Sequence, residues 1–206
     1  MILYPEVQQK AQEEIDLVVG TDRLPHFGDR QNLPYINAMV QEVVRWHPVG
    51  TIGIPHVASE DETCGGYRIP QGAQIIAVIW SFTHDPDRYH DPSTFKPERF
   101  LPGNDRPPEA DPRAYVFGFG RRVCPGRALA DSNLYLSIAN FLAGFKIQHA
   151  MRNGRPIPVS PQFLPGMISH PAPFEFDVQP RSSRHAALIS SLESKHPWES
   201  SDAKNL

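Results

Sequence analysis

Cys124 stands between two arginines and the start of a helix, in the stretch Phe117-Gly118-Phe119-Gly120-Arg121-Arg122-Val123-Cys124-Pro125-Gly126. Cysteine attacks an electrophile or binds a metal as thiolate, which nearby cations and a helix N-terminus both favour. Arg121 and Arg122 supply the cations, and Pro125 occupies the place a helix gives its first residue. Gly118, Gly120 and Gly126 permit positive φ and let a flat partner approach the backbone closely. The loop therefore reads as one that holds a thiolate against something planar. A second group with chemistry is Glu42 and Arg45, which share one helix face at i and i+3. If exposed, such a pair stabilises by under about 1 kcal/mol. Val40, Val43, Val44 and Trp46 around it indicate partial burial, where a charge pair demands further partners.

Several chemistries compete for Cys124. A lone cysteine beside a helix cap is often only a buried structural residue. Zinc needs about four close ligands, but the other cysteine is Cys64 and no C-x2-C or H-x3-H spacing occurs. An iron–sulfur cluster asks for roughly four cysteines, and the chain has 2. A cysteine phosphatase needs an arginine where Ala130 stands. A cysteine protease stays open, because its histidine and asparagine partners lie far away in sequence. It gives no reason, however, for paired glycines and arginines ahead of the nucleophile. A haem iron with one axial thiolate fits best.

Phe117, Gly120, Arg122, Cys124 and Gly126 match F-x-x-G-x-R-x-C-x-G, and the chain here resembles the cytochrome P-450 monooxygenases, whose haem-ligand signature this is. Glu42-Val43-Val44-Arg45 is similar to that family's E-x-x-R helix, and Pro97-Glu98-Arg99-Phe100 to its P-E-R-F segment. The helix after Cys124 and the strand Phe174-Glu175-Phe176 follow in the family's order. The resemblance covers about residues 4–180, and the wording is closest to fungal members, which places the chain in fungal secondary metabolism.

The resemblance implies a mainly α fold with small β-sheets (α+β), the C-terminal, proximal haem-side part of the family fold. It implies haem b with Cys124 as the metal ligand, and Phe117, Gly120, Arg122, Gly126 and His56 as further cofactor-binding residues. His56 and Arg122 would meet the haem propionates, which need charge-assisted donors. Many members carry arginine where His56 stands, so its contribution would depend on pH. Without the resemblance, His56 is as well read as an ordinary surface residue. Glu42, Arg45 and Arg99 would form a structural network that pins the coil before the cysteine loop. Val49, Thr51, Ile52, Ile54, Met167 and Ile168 would line the substrate site, although each is equally well read as sheet core. Electrons would come from NADPH through a flavoprotein reductase, docked on the basic surface of Arg121, Arg122 and Arg127. A full-length relative would sit at the endoplasmic reticulum membrane.

These residues need elements to place them. Pro5 to Val19 reads as a helix with Val7, Ala11, Ile15 and Val18 on one stripe and Gly20 ending it. Leu33 to His47 reads as a second, with Ile36, Met39, Val40, Val43 and Val44 facing a core and Pro48 stopping it. Ile52 to Ser59 and Ala73 to Trp80 read as paired strands joined through Gly65-Gly66 and Pro70-Gln71-Gly72. Ser81 to Tyr89 holds one short helix, and His90 to Val116 is proline-rich without a period. A structureless stretch of that length is unusual unless functional, and the resemblance makes it an ordered meander. Pro125 to Ala143 reads as the third helix, with Leu129, Leu136, Phe141 and Leu142 apolar. Phe145 to His149 and Pro173 to Val178 read as strands. Residues 1–180 thus form one domain portion, and the serine-rich, charged stretch Arg181 to Leu206, with Trp198 isolated, a disordered tail.

Composition narrows the function classes. With 40% hydrophobic and 21% charged residues, the chain is an ordinary globular one. Its net charge of -3 argues against a nucleic-acid partner. Proline, at 22 of 206 residues, demands much ordered coil. Two distant cysteines point to a reducing, intracellular compartment without a structural disulfide. No run of about 18 apolar residues offers a membrane span, and Met-Ile-Leu-Tyr is too short for a signal peptide.

In the family that the chain resembles, a membrane anchor and a long helical region precede anything like Pro5 to Val19. That region carries the distal acid/alcohol pair used in oxygen activation. The resemblance therefore implies a truncated chain that binds haem poorly and is inactive alone, with no catalytic residue of its own. Two alternatives stand beside this: a non-catalytic haem-binding or regulatory module, and a haem-thiolate isomerase or dehydratase that needs no reductase.

Overall fold

The computed structural model describes residues 1–103 and 107–195, with the side chains of Glu193 and Lys195 left aside. The described chain divides into two units. The first comprises Met1–Ile36, Tyr135–Val159 and the described residues from Glu175 onward, and the second comprises Asn37–Leu134 and Ser160–Phe174.

In the first unit, helix α1 spans Pro5–Val18, with proline in its first turn and Gly20 just past it at φ 81°. Val7, Gln8, Ala11 and Ile15 are its buried residues, so the expected stripe holds except at Val18, which is exposed beside Leu17. Strands β5 (Phe145–His149) and β6 (Phe176–Pro180) pair antiparallel, with Ile147 opposite Val178. Buried Gln8 reads this sheet edge as a strand would: its amide donates to the Ile147 carbonyl at 3.0 Å and accepts from the Ile147 N–H at 2.8 Å. Glu14 accepts from the N–H groups of Tyr35 and Ile36 at 2.8 and 3.0 Å, filling orphan donors at the start of helix α2 (Pro34–Trp46).

The stretch expected to be a disordered tail begins with helix α5, Ser183–Lys195. His185 is buried, and Leu188, Ile189 and Leu192 recur on its face at three- and four-residue spacing. Ile189 closes on Gly144, where an added Cβ would lie 3.3 Å from its Cδ1. Serine-rich composition hid this period. Trp198 lies outside the described residues.

In the second unit, the expected long strands shrink. Of the expected spans, the short pieces β1 (His56–Val57) and β4 (Gln74–Ile75) pair, antiparallel. Gly53 at φ 61° bends the chain in a turn closed by its N–H to the Gly50 carbonyl, and Ile79–Thr83 winds into the short helix α3. That helix lies earlier than the one expected over Ser81 to Tyr89. Between β1 and β4, β2 (Glu62–Cys64) and β3 (Tyr67–Ile69) form a hairpin around Gly65-Gly66, both at positive φ. Helix α4 runs Arg127–Gly144, two residues later than expected, because Pro125 and Gly126 stay in the loop. Gly126 acts as its cap, accepting from the Ala130 N–H at 2.8 Å. Of its expected apolar residues, Leu129 and Phe141 are exposed and Leu142 is buried, together with Tyr135 and Ala139.

Candidate functional site

Helix α2 turns a charged stripe, not only an apolar one, into its covered face. Tyr35, Ala38, Met39, Glu42 and Arg45 recur at helical spacing and are all buried, whereas Val43 and Val44 are only half-buried. Glu42 and Arg45 have 0% exposure, and Arg99 has 6%. Two unpaired charges so deep would cost several kcal/mol each, so each must find every partner it can use.

They do. Arg45 donates from Nε and Nη2 to the Glu42 carboxylate at 2.7 and 2.9 Å. Its remaining N–H groups reach the carbonyls of Thr83, Pro92 and Thr94 at 2.8, 2.9 and 3.3 Å. Arg99 donates from Nε to Glu42 at 3.2 Å, from Nη1 to Glu109 at 2.7 Å and to the carbonyl of His90, and from Nη2 to the carbonyls of Asp91 and Thr94. Glu42 also accepts the Lys96 N–H at 2.7 Å. Both guanidinium groups use all their donors, and two glutamates balance two arginines. Arg45 further lies over the Tyr89 ring, 5.3 Å from its centroid.

This cluster explains why a proline-rich coil stands in one conformation. Residues 90–94 have no strand or helix to take up their carbonyls, and an unpaired buried carbonyl costs free energy. Guanidinium donors from Arg45 and Arg99, with the Trp46 indole N–H on the Ser93 carbonyl at 2.8 Å, replace the missing partners. The meander continues through the 3-10 turns Pro97–Phe100 and Pro112–Ala114 onto the buried cluster Ala38, Tyr89, Phe100 and Tyr115. Sequence reasoning placed Glu42, Arg45 and Arg99; it missed Glu109, which sits in an aperiodic run with no spacing to mark it.

The cysteine loop follows. Gly118 and Gly120 adopt φ of 81° and 55°, conformations that L side chains rarely take. The Cys124 N–H donates to the Phe117 carbonyl at 2.7 Å, and the Cys124 carbonyl accepts from Arg127 at 3.2 Å. Phe117 and Cys124 are thereby brought together, with Gly126 close to the sulfur: a Cβ there would lie 3.8 Å from Cys124 Sγ. The thiol is free and exposed, as are Arg121, Arg122, Phe119 and Val123. Phe119 makes an edge contact with Phe82, ring centroids 6.3 Å apart.

The two expected substrate segments also meet. The Ser169 N–H donates to the Val49 carbonyl at 2.8 Å, and His47 Nε2 lies 2.8 Å from Ser169 Oγ. The His47 ring stacks on Phe163 at 3.3 Å, so the residues joining the segments are ones that sequence reasoning did not name. Val49, Ile52, Ile54, Met167 and Ile168 are exposed, with Ile54 at 73%, and Thr51 is half-buried. They are not sheet core. His56 is exposed in β1, and no hydrogen bond among the described residues joins it to Arg122 or Cys124.

The donor set fits a haem. No group of three metal-binding side chains exists among the described residues, so a metal at Cys124 would bring its other ligands with it. A macrocycle does so, and Gly120 leaves open space where a Cβ would stand. Exposed apolar and cationic side chains beside the thiol match an apolar ring with anionic substituents. Among the described residues, no helix is long and apolar enough to cross a membrane.

Comparison with known proteins points the same way. The model of a family described as Cytochrome P450 matches residues 1–178. Cytochrome P450 monooxygenase ppsD of Aspergillus oryzae is 50% identical over 208 residues, covering 100% of this chain and 39% of its own length. O-methylsterigmatocystin oxidoreductase of Aspergillus flavus is 50% identical over 206 residues, again across 100% of this chain and 38% of its own. Among solved structures, a zebra fish cytochrome P450 with abiraterone aligns at a TM-score of 0.75 and 35% identity, over 88% of this chain and 42% of that one. The chain thus spans about two fifths of the length of these curated relatives.

Proposed function

We propose a function from the premise that this chain belongs to the cytochrome P450 family: it is the thiolate-bearing, proximal part of a haem monooxygenase. The observation that carries the reading is the exposed Cys124 thiol, held by its own N–H on the Phe117 carbonyl in a glycine-rich loop before α4. Cys124 would hold the iron of haem b through its sulfur, with Phe117, Gly120 and Gly126 as further haem-binding residues. Arg122 and His56, both exposed, would face its propionates. When bound, haem would supply the activation of dioxygen, one atom entering a hydrophobic substrate and the other leaving as water with two protons and two electrons from NADPH through the reductase.

The chain's own residues do the rest. Glu42, Arg45 and Arg99 fix the meander, and so the loop's entry. Val49, Thr51, Ile52, Ile54, Met167 and Ile168 offer an apolar surface that a small hydrophobic substrate would cover and dry. Arg121, Arg122 and Arg127, all exposed, suit the acidic face of an NADPH-dependent flavoprotein reductase. The activity is proposed for a protein of the relatives' length at the endoplasmic reticulum membrane, and not for these 206 residues alone.

The test is the absorption spectrum of the haem-loaded, reduced, carbon-monoxide-bound protein that contains this chain. A thiolate-type band is expected for the native protein and none for Cys124→Ser of unchanged far-ultraviolet circular dichroism. A band surviving the substitution would sink the assignment. Oxygen uptake above leakage on adding reductase and NADPH separates oxygenation from a binding module or a reductase-independent enzyme.

A further inference from the structure

Residues 119–125 of the cysteine loop are exposed, so contacts at the two ends of the loop add to the few it makes itself, the Cys124 N–H on the Phe117 carbonyl and the Phe119 ring edge on Phe82. Arg113, in the turn ahead of the loop, grips Asp111 with Nε and Nη2 at 2.9 and 2.7 Å. Its third arm, Nη1, reaches across the loop to Asp131 in the second turn of α4 at 2.8 Å. Asp111 is itself held from two sides: it accepts the Arg113 backbone N–H at 2.9 Å and a side-chain hydrogen bond from Gln41 of α2. Between Asp111 and Arg113, Pro112 is fully buried and anchors the turn.

We propose that Arg113 is a positioning residue for Cys124, clamping the two ends of the thiolate loop through Asp111 and Asp131. The proposal rests on the haem-thiolate reading of Cys124. Its hydrogen bonds are separate from those of the Glu42 cluster, which hold residues 90–99. A planar guanidinium can bind one carboxylate with two donors and a second with a third, which lysine cannot copy. The pairing also leaves its mark on the charges. It holds the Arg113 guanidinium above its ordinary value and, against the effect of burial, the Asp111 carboxyl below its own.

The experiment compares Arg113→Lys, Asp131→Asn and the double variant in the haem-loaded protein that contains this chain. Two readouts are taken: hydrogen exchange of the Cys124 amide, and the rate at which the thiolate-type carbon-monoxide band is lost in mild denaturant. Each single variant is expected to raise both about tenfold, as for a lost charge-assisted hydrogen bond. The double variant should do no worse than Arg113→Lys alone, because that substitution already removes the arm that reaches Asp131. The proposal is overturned if the Cys124 amide is unaffected, or if the amides of α1 (residues 5–18) exchange faster by the same factor. Should Arg113→Lys fail to fold, Asp131→Asn takes the charge from the arm across the loop alone and is read by the same two measurements. A native protein without the thiolate-type band, whose Cys124 amide still responds tenfold, would overturn the haem reading and leave the clamp standing.

Discussion

Glu42 sits at 0% exposure with three N–H donors on Oε1 and the Arg45 Nε on Oε2. Removing its charge would leave two buried guanidinium groups facing only Glu109 and carbonyls. Glu42→Gln is therefore expected to cost about 3–5 kcal/mol, read as a lower denaturation midpoint with an unchanged denaturant slope. A leucine in the same place leaves the donors unmet as well and should be at least as damaging. His84 makes a different prediction. Burial, and then the nearby Arg45 charge, push its imidazole down to about 4 from an ordinary 6.5, while the ring stacks on Trp80 at 3.5 Å. The unfolded chain therefore takes up a proton that the folded chain refuses. Stability is full above pH 6.5 and falls as pH drops towards about 4. His84→Asn should flatten that part of a denaturation-against-pH curve; an unchanged slope would refute the assignment.

Among the elements, β5 and α1 are joined by a side chain acting as a strand. Gln8→Ala would leave the Ile147 N–H and carbonyl without their partners, at about 1–3 kcal/mol. Hydrogen exchange should report it first at the Ile147 amide, with the hairpin β2–β3 unchanged. The helices were legible because apolar residues recur at their period: α1 and α2 lie within a residue of their expected bounds. The strands β1 and β4 were not. Their apolar runs, such as Ile52 to Val57, look like sheet but stay exposed, because a turn at Gly53 breaks the alternation. Helix α5 was missed for the opposite reason: its half-buried face became visible only once Gly144 offered Ile189 a place to pack.

At the scale of the whole molecule, the exposed apolar residues of the second unit set an expectation for the chain by itself. Val49, Ile52, Ile54, Met167 and Ile168 are exposed, as are residues 119–125 around Cys124, so the chain by itself encloses little of any ligand that Cys124 would hold. The 206-residue chain alone is expected to bind haem weakly, without the thiolate-type spectrum. A titration that saturates at one haem per chain with that spectrum would refute this. By itself, the sequence determined the glycine-rich cysteine loop and the Glu42–Arg45 helix face, because glycine conformation, helix period and residue spacing are local properties. Only the tertiary structure decided that Glu109 completes the charge cluster, that His47 bridges to the 160–174 segment through Ser169 and Phe163, and that Arg113 spans the cysteine loop to Asp131. Those contacts join residues distant in the chain and carry no period. They exist because a buried donor or charge takes whichever acceptor the fold brings within reach.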